Sequence, residues 1–468
     1  MKLDLIHRVY FLGIGGIGMS ALARWFNAQG LPVSGYDRTR TPLTDQLQKE
    51  GISIHFEDNI DQIDKEVIDK PDSTLIIYTP AIPSDHKEFN HLQSLGFGLY
   101  KRSEVLGMIT AQHFTVAVAG THGKTSTSSL TAHILKESGI NCAAFVGGIM
   151  VNYASNLILP NSDSDIVVVV EADEFDRSFL RLNPDLAIVT AADPDHLDIY
   201  GDGNHLKDSF REFIAKINRK GKLFIKERVA TELELKNSQG IDVGYYDVNE
   251  GSIKAEKITV NDGAFVFDYV SPERRIEGLR LSFPGRHNVE NTIAAISIAL
   301  HLGVSEEAIS EAVRSYRGVK RRFEHIFQQG SVSYIDDYAH HPEEIRSFLS
   351  ALRELYPGKK ITAIFQPHLF TRTRDFADGF AESLELADEV ILIPIYPARE
   401  LPIEGVNSDM ILKNMTEVNV QLLAKEDVVE YVEENDFEVL ATIGAGDIDQ
   451  LVVPIKEVLA NKYDSIKS

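Results

Sequence analysis

The densest chemistry in the chain lies in Gly120-Thr121-His122-Gly123-Lys124-Thr125, which follows an apolar run from Phe114 to Ala119 and precedes Ser126 to Leu135, a helix-compatible stretch. A strand that turns through glycines into a helix aims successive N–H groups, and the positive end of the helix, at an anion. In that frame Lys124 reaches the β- and γ-phosphates of a nucleotide and the Thr125 hydroxyl reaches Mg²⁺. The full phosphate-loop pattern has glycine five residues before Gly123, where this chain has Val118, so the loop is a shortened variant. An ordinary glycine turn with an exposed lysine is the plain alternative; the position of Gly-Lys-Thr between strand and helix speaks against it.

A second glycine set, Gly13-Ile14-Gly15-Gly16-Ile17-Gly18, stands between the apolar run Val9 to Leu12 and a helical stretch from Met19 to Gln29. Its spacing satisfies the dinucleotide fingerprint, and Asp37 sits about 20 residues on, where a ribose-binding acid is expected. The pattern places a pyrophosphate on the helix N-terminus without choosing among NAD, FAD and a UDP-sugar. A tight turn that binds nothing is the other reading. Thr74 to Tyr78 reads as a further strand whose loop, Thr79 to Pro83 with Ile82, lies at a strand's carboxyl end, where open α/β sheets bind ligands. Lys101 and Arg102 add local positive charge, or are a solvated pair.

Acids follow the phosphate loop. Ile166 to Val170 is a β-branched run ending in Glu171-Ala172-Asp173-Glu174, and hard cations such as Mg²⁺ take carboxylate oxygens at such strand ends. Leu186 to Thr190 leads into Asp193-Pro194-Asp195-His196, where His196 is a metal ligand, a phosphate partner or a loop histidine. Farther on come Gly285-Arg286-His287-Asn288 with Asn291, then Lys320-Arg321-Arg322. Strand-like runs then end in Asp337-Tyr338-Ala339-His340-His341, Gln366-Pro367-His368 through Arg372 and Arg374, Tyr396-Pro397-Ala398, and Gly444 to Asp447. Histidines and arginines at strand ends suit carboxylates and phosphates. A zinc site from His340, His341 and His368 is disfavoured, because no acid or cysteine falls at ligand spacing beside them.

The elements that must position these residues are strands alternating with helices, which predicts an α/β chain of three domains. These are a Rossmann-like N-terminal domain over 1–108, a central phosphate-loop domain over 109–316 with a mostly parallel sheet, and a Rossmann-like C-terminal domain over 317–468. Alternation from Gly221 to Phe283, with a turn at Asn261-Asp262-Gly263, predicts an antiparallel appendage to the central sheet. The 468 residues carry a net charge of -23, which opposes binding to nucleic acid or an anionic membrane. No apolar run of about 18 residues is present to cross a bilayer. The single cysteine, Cys142, excludes an intrachain disulfide and fits a cytoplasmic setting.

Taken in order over the whole chain, the Gly-Thr-His-Gly-Lys-Thr loop, Glu-Ala-Asp-Glu, Asp195-His196, Gly285 to Asn288 with Asn291, Arg321-Arg322-Phe323 and Asp337 to Pro342 resemble the ATP-dependent Mur ligases. The resemblance implies that ATP phosphorylates the lactyl carboxylate of UDP-N-acetylmuramate and that the amine of L-alanine then attacks the acyl phosphate. It implies ATP and Mg²⁺ as cofactors, those two substrates as partners, and a monomer or weak homodimer. Lys124, His196, His340 and Arg372 would be catalytic. Gly120 to Ser126, that is Gly120, Thr121, His122, Gly123, Lys124, Thr125 and Ser126, would hold ATP together with Asn288, Asn291, Arg322 and Asp337. Thr125, Glu171, Glu174 and His196 would hold metal. Gly15, Gly16, Ile17 and Gly18 would cradle the UDP diphosphate, with Asp37, Thr79, Ile82 and Arg102 nearby. Tyr338, His368 and Arg372 would face the amino-acid end. Relatives often carry arginine where this chain has Leu369, and Lys207 does not match the spacing of the carbamylated lysine that several Mur ligases use. Two rival functions leave motifs unused: an NAD oxidoreductase has no need of the phosphate loop, and a nucleotide-hydrolysing switch has no need of the N-terminal glycines.

Overall fold

The computed structural model describes residues 3–193, 203–235, 240–261, 263–283, 285–398, 400–416 and 418–464. The chain divides into two compact units. One comprises Met1–Glu256, Asp268–Leu279 and Glu290–Tyr316; the other comprises Lys257–Phe267, Arg280–Val289 and Arg317–Ser468.

In the first unit, β1 (Arg8–Leu12), β2 (Val33–Tyr36), β3 (Ser53–His55), β4 (Thr74–Tyr78) and β5 (Leu99–Lys101) form a parallel sheet in the order β3-β2-β1-β4-β5. Four consecutive residues of β1 are buried, as a strand covered on both faces requires. Strand order reverses between β1 and β4, so the loops that leave them, Gly13–Gly16 and Thr79–Ile82, meet at the topological switch point.

The central sheet contains β6 (Phe114–Ala119), β7 (Cys142–Met150), β8 (Ser155–Ile158), β9 (Val167–Ala172), β10 (Leu186–Val189), β11 (Lys222–Ile225) and β12 (Asp242–Tyr245), in the order β12-β11-β10-β6-β9-β7-β8. Every pair is parallel except β7 with β8. The predicted antiparallel appendage from Gly221 is corrected here: β11 and β12 extend the parallel sheet. The short helix Glu227–Glu232, which supplies the crossover after β11, leaves too brief a 3.6-residue pattern to stand out from alternation. The separate three-stranded sheet consists only of β13 (Lys254–Asn261), β14 (Ala264–Val270) and β15 (Arg275–Leu281). Asp262, at the predicted turn, lies outside the described residues.

The second unit is built on β16 (Glu324–Gln329), β17 (Val332–Asp337), β18 (Ile361–Phe365), β19 (Glu389–Leu392), β20 (Asn419–Leu422) and β21 (Val439–Ile443), ordered β16-β17-β21-β18-β19-β20. Only the β16–β17 pair is antiparallel. The chain is thus α/β throughout, with mostly parallel sheets that gather loops at their carboxyl ends.

Candidate active site

Strand β6 ends at Ala119, which lies beside Ala172 of β9 and Val189 of β10, so the glycine loop emerges between those two strand ends. Gly120 has φ +137°, and a Cβ there would stand 2.0 Å from Thr190 Oγ1 and 2.8 Å from the Ala191 nitrogen. Gly123 has φ +78°, and its Cβ would lie 2.9 Å from Asn291 Oδ1. Both positions therefore need glycine for space as well as for backbone conformation. The loop is held from behind: the Thr121 N–H donates to Ala191 O (3.1 Å) and the Thr190 hydroxyl donates to His122 O. The helix Lys124–Glu137 makes its first intrahelical bond from Thr127 N to Gly123 O (3.0 Å), which leaves the amides of Lys124, Thr125 and Ser126 at its positive end. The Thr121 hydroxyl is buried without a hydrogen-bond partner among the described residues. A phosphate fits this cradle of amides, hydroxyls and closely approached glycines.

Lys124 and Glu174 form a bidentate pair, with both carboxylate oxygens 2.7 Å from Nζ and Glu174 fully buried. Burial works against the ammonium, but Glu174, Asp173 and Glu171 outweigh it and hold Lys124 above its ordinary pKa. Burial pushes the Glu174 carboxyl upward while Lys124 pulls it back, and the symmetric contact is that of a carboxylate on an ammonium. Glu174, expected at the metal, thus holds the phosphate-reaching lysine. Glu171 points elsewhere, accepting from Gly147 N (2.9 Å) of β7. Among the described residues no three His, Cys, Asp or Glu side chains gather as a metal-binding group. Mg²⁺ draws on one or two protein oxygens together with substrate phosphates and water, and Thr125 and Glu171 are donors of that kind. His196 lies outside the described residues.

At the N-terminal glycines, Gly13 and Ile14 donate to Tyr36 O (2.8 and 3.0 Å), and Gly15 N donates to Asp37 Oδ2 (2.7 Å). Asp37 Oδ1 also accepts from Thr39 N (3.0 Å), so the acid expected at a ribose fastens the turn as well. A Cβ on Gly13 would stand 2.4 Å from Thr79 Cγ2, and one on Gly18 would stand 2.8 Å from the Arg102 side chain. Arg102 therefore lies across the first turn of the helix Ile17–Ala28, with Nη2 3.8 Å from Asp173 Oδ2. Arg102, Leu106, Glu171, Asp173 and Phe179 line a small cleft open to solvent. Ile82 packs beside Gly13, 3.8 Å from where its Cβ would be.

In the second unit β17 is buried along its length and ends in two acids with different tasks. Asp336 accepts from Arg321 Nε (2.9 Å) and the Thr442 hydroxyl (2.6 Å). Asp337 accepts from the amides of Phe323 (2.6 Å) and Ala339 (2.7 Å), and burial pushes its pKa up to about 6 against the opposing charge of Arg322. The Arg321 and Arg322 guanidinium carbons stand 5.4 and 5.3 Å from the Tyr338 ring centre. His340 donates from Nδ1 to Tyr338 O (3.0 Å), and its ring lies 6.0 Å from that of His368. Burial lowers the His340 pKa against the pull of Glu344, and Arg372 adds to the lowering, so the ring is neutral near pH 7. Arg372 Nη1 is buried with no hydrogen-bond partner among the described residues. An orphaned guanidinium nitrogen acting on a neutral histidine is a fit for a small carboxylate or phosphate. Asn288 and Asn291 are buried one turn apart on the helix Arg286–His301.

Models described as "Mur ligase family, catalytic domain", "Mur ligase middle domain" and "Mur ligase, glutamate ligase domain" match residues 8–114, 118–299 and 321–448. The chain is 50% identical over 460 residues to a protein of Flavobacterium johnsoniae named UDP-N-acetylmuramate--L-alanine ligase, covering 98% of this chain and 99% of the relative. The chain belongs to the Mur ligase family. A Porphyromonas gingivalis relative of the same name is 48% identical over 453 residues, covering 97% of this chain and 99% of that one. Among solved structures, the UDP-N-acetylmuramate-alanine ligase of Thermotoga maritima superposes with a TM-score of 0.81 at 28% identity, covering 98% and 100%. The murein peptide ligase of Psychrobacter arcticus shares the fold, with a TM-score of 0.68 at 23% identity over 97% and 99%.

Within this Mur ligase the residues after β18 that the sequence singled out have packing tasks their spacing did not announce. Gln366 fastens the loop after β21, donating to Asp447 Oδ1 (2.7 Å) and accepting from Ile448 N (2.9 Å). Leu369, at φ +71°, starts the helix Phe370–Leu384 and donates through its amide to Tyr396 O (2.9 Å). Arg374 is exposed and paired with Asp375 (2.7 Å) on that helix.

Proposed function

We propose that this chain joins L-alanine to the lactyl carboxylate of UDP-N-acetylmuramate at the expense of ATP, forming an amide, ADP and phosphate in peptidoglycan precursor synthesis. The observation that carries this reading is its near-50% identity, over almost the whole chain, to relatives named for that reaction. The built phosphate cradle at Gly120–Ser126 and the orphaned Arg372 nitrogen supply its chemistry.

In this reading the amides of Lys124–Ser126 bind the ATP phosphates, and Lys124 leaves Glu174 to neutralise charge that develops on the transferred phosphoryl group. Thr125, Glu171 and His196 would hold Mg²⁺, with Glu174 a further ligand once Lys124 has left it; such an ion would supply neutralisation of phosphate charge. The N-terminal glycines Gly15–Gly18, with Thr79, Ile82 and Arg102, hold the UDP diphosphate, and Asp37 takes the ribose. Asn288 and Asn291 lie along the adenine, and Arg322 and Asp337 along the ribose and phosphates. Neutral His340, with Tyr338, His368 and Arg372, receives L-alanine and the departing phosphate; a neutral imidazole can take the proton that the attacking ammonium must lose. The working divisions are 1–108 for the sugar nucleotide, 109–316 for ATP and 317–468 for the amino acid. The protein is expected in the cytoplasm as a monomer or weak homodimer, without nucleic-acid or membrane partners.

The test is phosphate release from ATP and Mg²⁺ with UDP-N-acetylmuramate and single amino acids. Release that needs both cosubstrates and is greatest with L-alanine supports the ligase. ATP turnover indifferent to them would favour a nucleotide switch, and hydride exchange with NAD would favour the oxidoreductase.

A further inference from the structure

The first unit contains a buried polar chain that no motif announces. Arg24, on the helix Ile17–Ala28, is 8% exposed and is gripped by Glu50 through Nε (2.8 Å) and Nη2 (2.9 Å). Its remaining nitrogen, Nη1, donates to Asn156 Oδ1 (2.5 Å). Asn156 belongs to β8 of the central sheet and is fully buried. Its amide nitrogen in turn donates to Ile17 O and Ser20 Oγ (3.0 Å), at the first turn of the same N-terminal helix.

Ile17 O and Gly18 N belong to one planar peptide, with C=O and N–H pointing in opposite directions. A donor that fixes Ile17 O from the body of the protein therefore points Gly18 N–H out of the helix mouth. The first intrahelical bond is Ser20 N to Gly16 O (2.8 Å), so Gly18 N is one of the amides at the helix's positive end. The polarity is consistent along the whole chain: an arginine cation donates to an amide oxygen, that amide donates to a peptide oxygen, and that peptide presents its N–H. Hydrogen bonds linked in this sense strengthen one another, by about 10–30% per bond.

The same hairpin reaches the other candidate site. Gly147 on β7, paired with β8, donates to Glu171, and a Cβ at Gly147 would come within 2.5 Å of that carboxylate. Trp25 of the N-terminal helix packs on Phe145 of β7, with ring centres 5.5 Å apart. One hairpin thus contacts both the glycine-turn helix and the acid expected at the metal.

We propose that Asn156, polarised by Arg24, is a positioning residue for the sugar nucleotide. It aims and strengthens the Gly18 amide toward the diphosphate, and registers that helix on the β7–β8 hairpin that holds Glu171. The proposal rests on the reading that Gly15–Gly18 bind a diphosphate.

The test uses the full-length protein and its variants Asn156→Asp, Asn156→Ala and Arg24→Met, with UDP-N-acetylmuramate as the probe. Asn156→Asp keeps the shape and the arginine partner but replaces the donor to Ile17 O by an acceptor. The expected result is a rise of about tenfold in both Kd and KM for UDP-N-acetylmuramate, the size of one strong hydrogen bond. KM for ATP stays within about twofold. Arg24→Met gives a smaller rise of the same kind, because the amide remains but loses its polarising charge. A purely structural role would lower the active fraction and leave both KM values as they were, and that outcome overturns the proposal. So does unchanged affinity in Asn156→Asp, which circular dichroism would show to be folded. If the unaltered protein fails to bind any UDP-sugar, the diphosphate reading falls and the positioning role with it.

Discussion

Lys124→Met removes the ammonium from a pair whose partner, Glu174, is fully buried and contacts it through both oxygens at 2.7 Å. Two effects follow, and they separate. For stability, the buried carboxylate loses its bidentate ammonium, and deleting one member of a buried pair costs about 3–5 kcal/mol. Glu174→Gln costs less, because Lys124 still feels the charges of Asp173 and Glu171. Lys124→Met combined with Glu174→Gln removes both charges, so its loss falls well below the sum, to about 1–2 kcal/mol. Hydrogen exchange of peptides covering residues 114–137 reads this locally, without assuming that a chain of two compact units unfolds in one step. For activity, Lys124→Met and the double variant are both inactive, since neither restores a charge to the phosphate site. Strictly additive stability losses would refute the buried-pair energetics. Activity in the double variant would refute the role of Lys124 at the phosphates.

Gly120→Ala forces a Cβ to 2.0 Å from Thr190 Oγ1 at φ +137°, so calorimetry should show ATP affinity reduced at least about tenfold. UDP-N-acetylmuramate binding stays intact in that variant, and wild-type ATP affinity would count against the cradle. Arg372→Met removes the orphaned donor, so kcat/KM for L-alanine should fall about ten- to a hundredfold, the range for a charge-assisted hydrogen bond; an unchanged value would place the amino acid elsewhere. Asp337 has a folded pKa of about 6, above the ordinary 3.8, so its proton stabilises the folded state below about pH 4 and that contribution is lost as pH rises through 6. The stability of the wild type relative to Asp337→Asn should therefore fall by about 2–3 kcal/mol between pH 4 and pH 7 in urea unfolding, and parallel pH profiles would contradict the burial assigned to Asp337.

Much of the site was legible because glycine turns leave local traces. At Gly13, Gly120 and Gly123 a positive φ and a close neighbour both demand the residue type that was read. Buried parallel strands such as β9 were legible for the same local reason, since the β-branched run Val167–Val170 carries no alternation, whereas β11 and β12 were not. What stayed hidden is tertiary. Lys124 and Glu174 lie 50 residues apart, and nothing in Glu-Ala-Asp-Glu says which acid turns to the lysine. Asn156 and Arg24 are 132 apart and read as an ordinary surface asparagine and arginine. Edge strands β16 and β20 were missed because Glu324–Gln329 and Asn419–Leu422 are half polar, as exposed edges are. Asp37 was placed by spacing alone, and spacing could not reveal that its carboxylate already accepts from Gly15.

The central claim is that the loop at Gly120–Thr125 delivers a γ-phosphate to a carboxylate rather than to water. Turnover of UDP-N-acetylmuramate labelled with ¹⁸O in both lactyl carboxylate oxygens, with ATP, Mg²⁺ and L-alanine, tests it by mass spectrometry of the released phosphate. The acyl-phosphate route predicts one ¹⁸O in each phosphate and one left in the amide. Unlabelled phosphate released alongside the amide would contradict it.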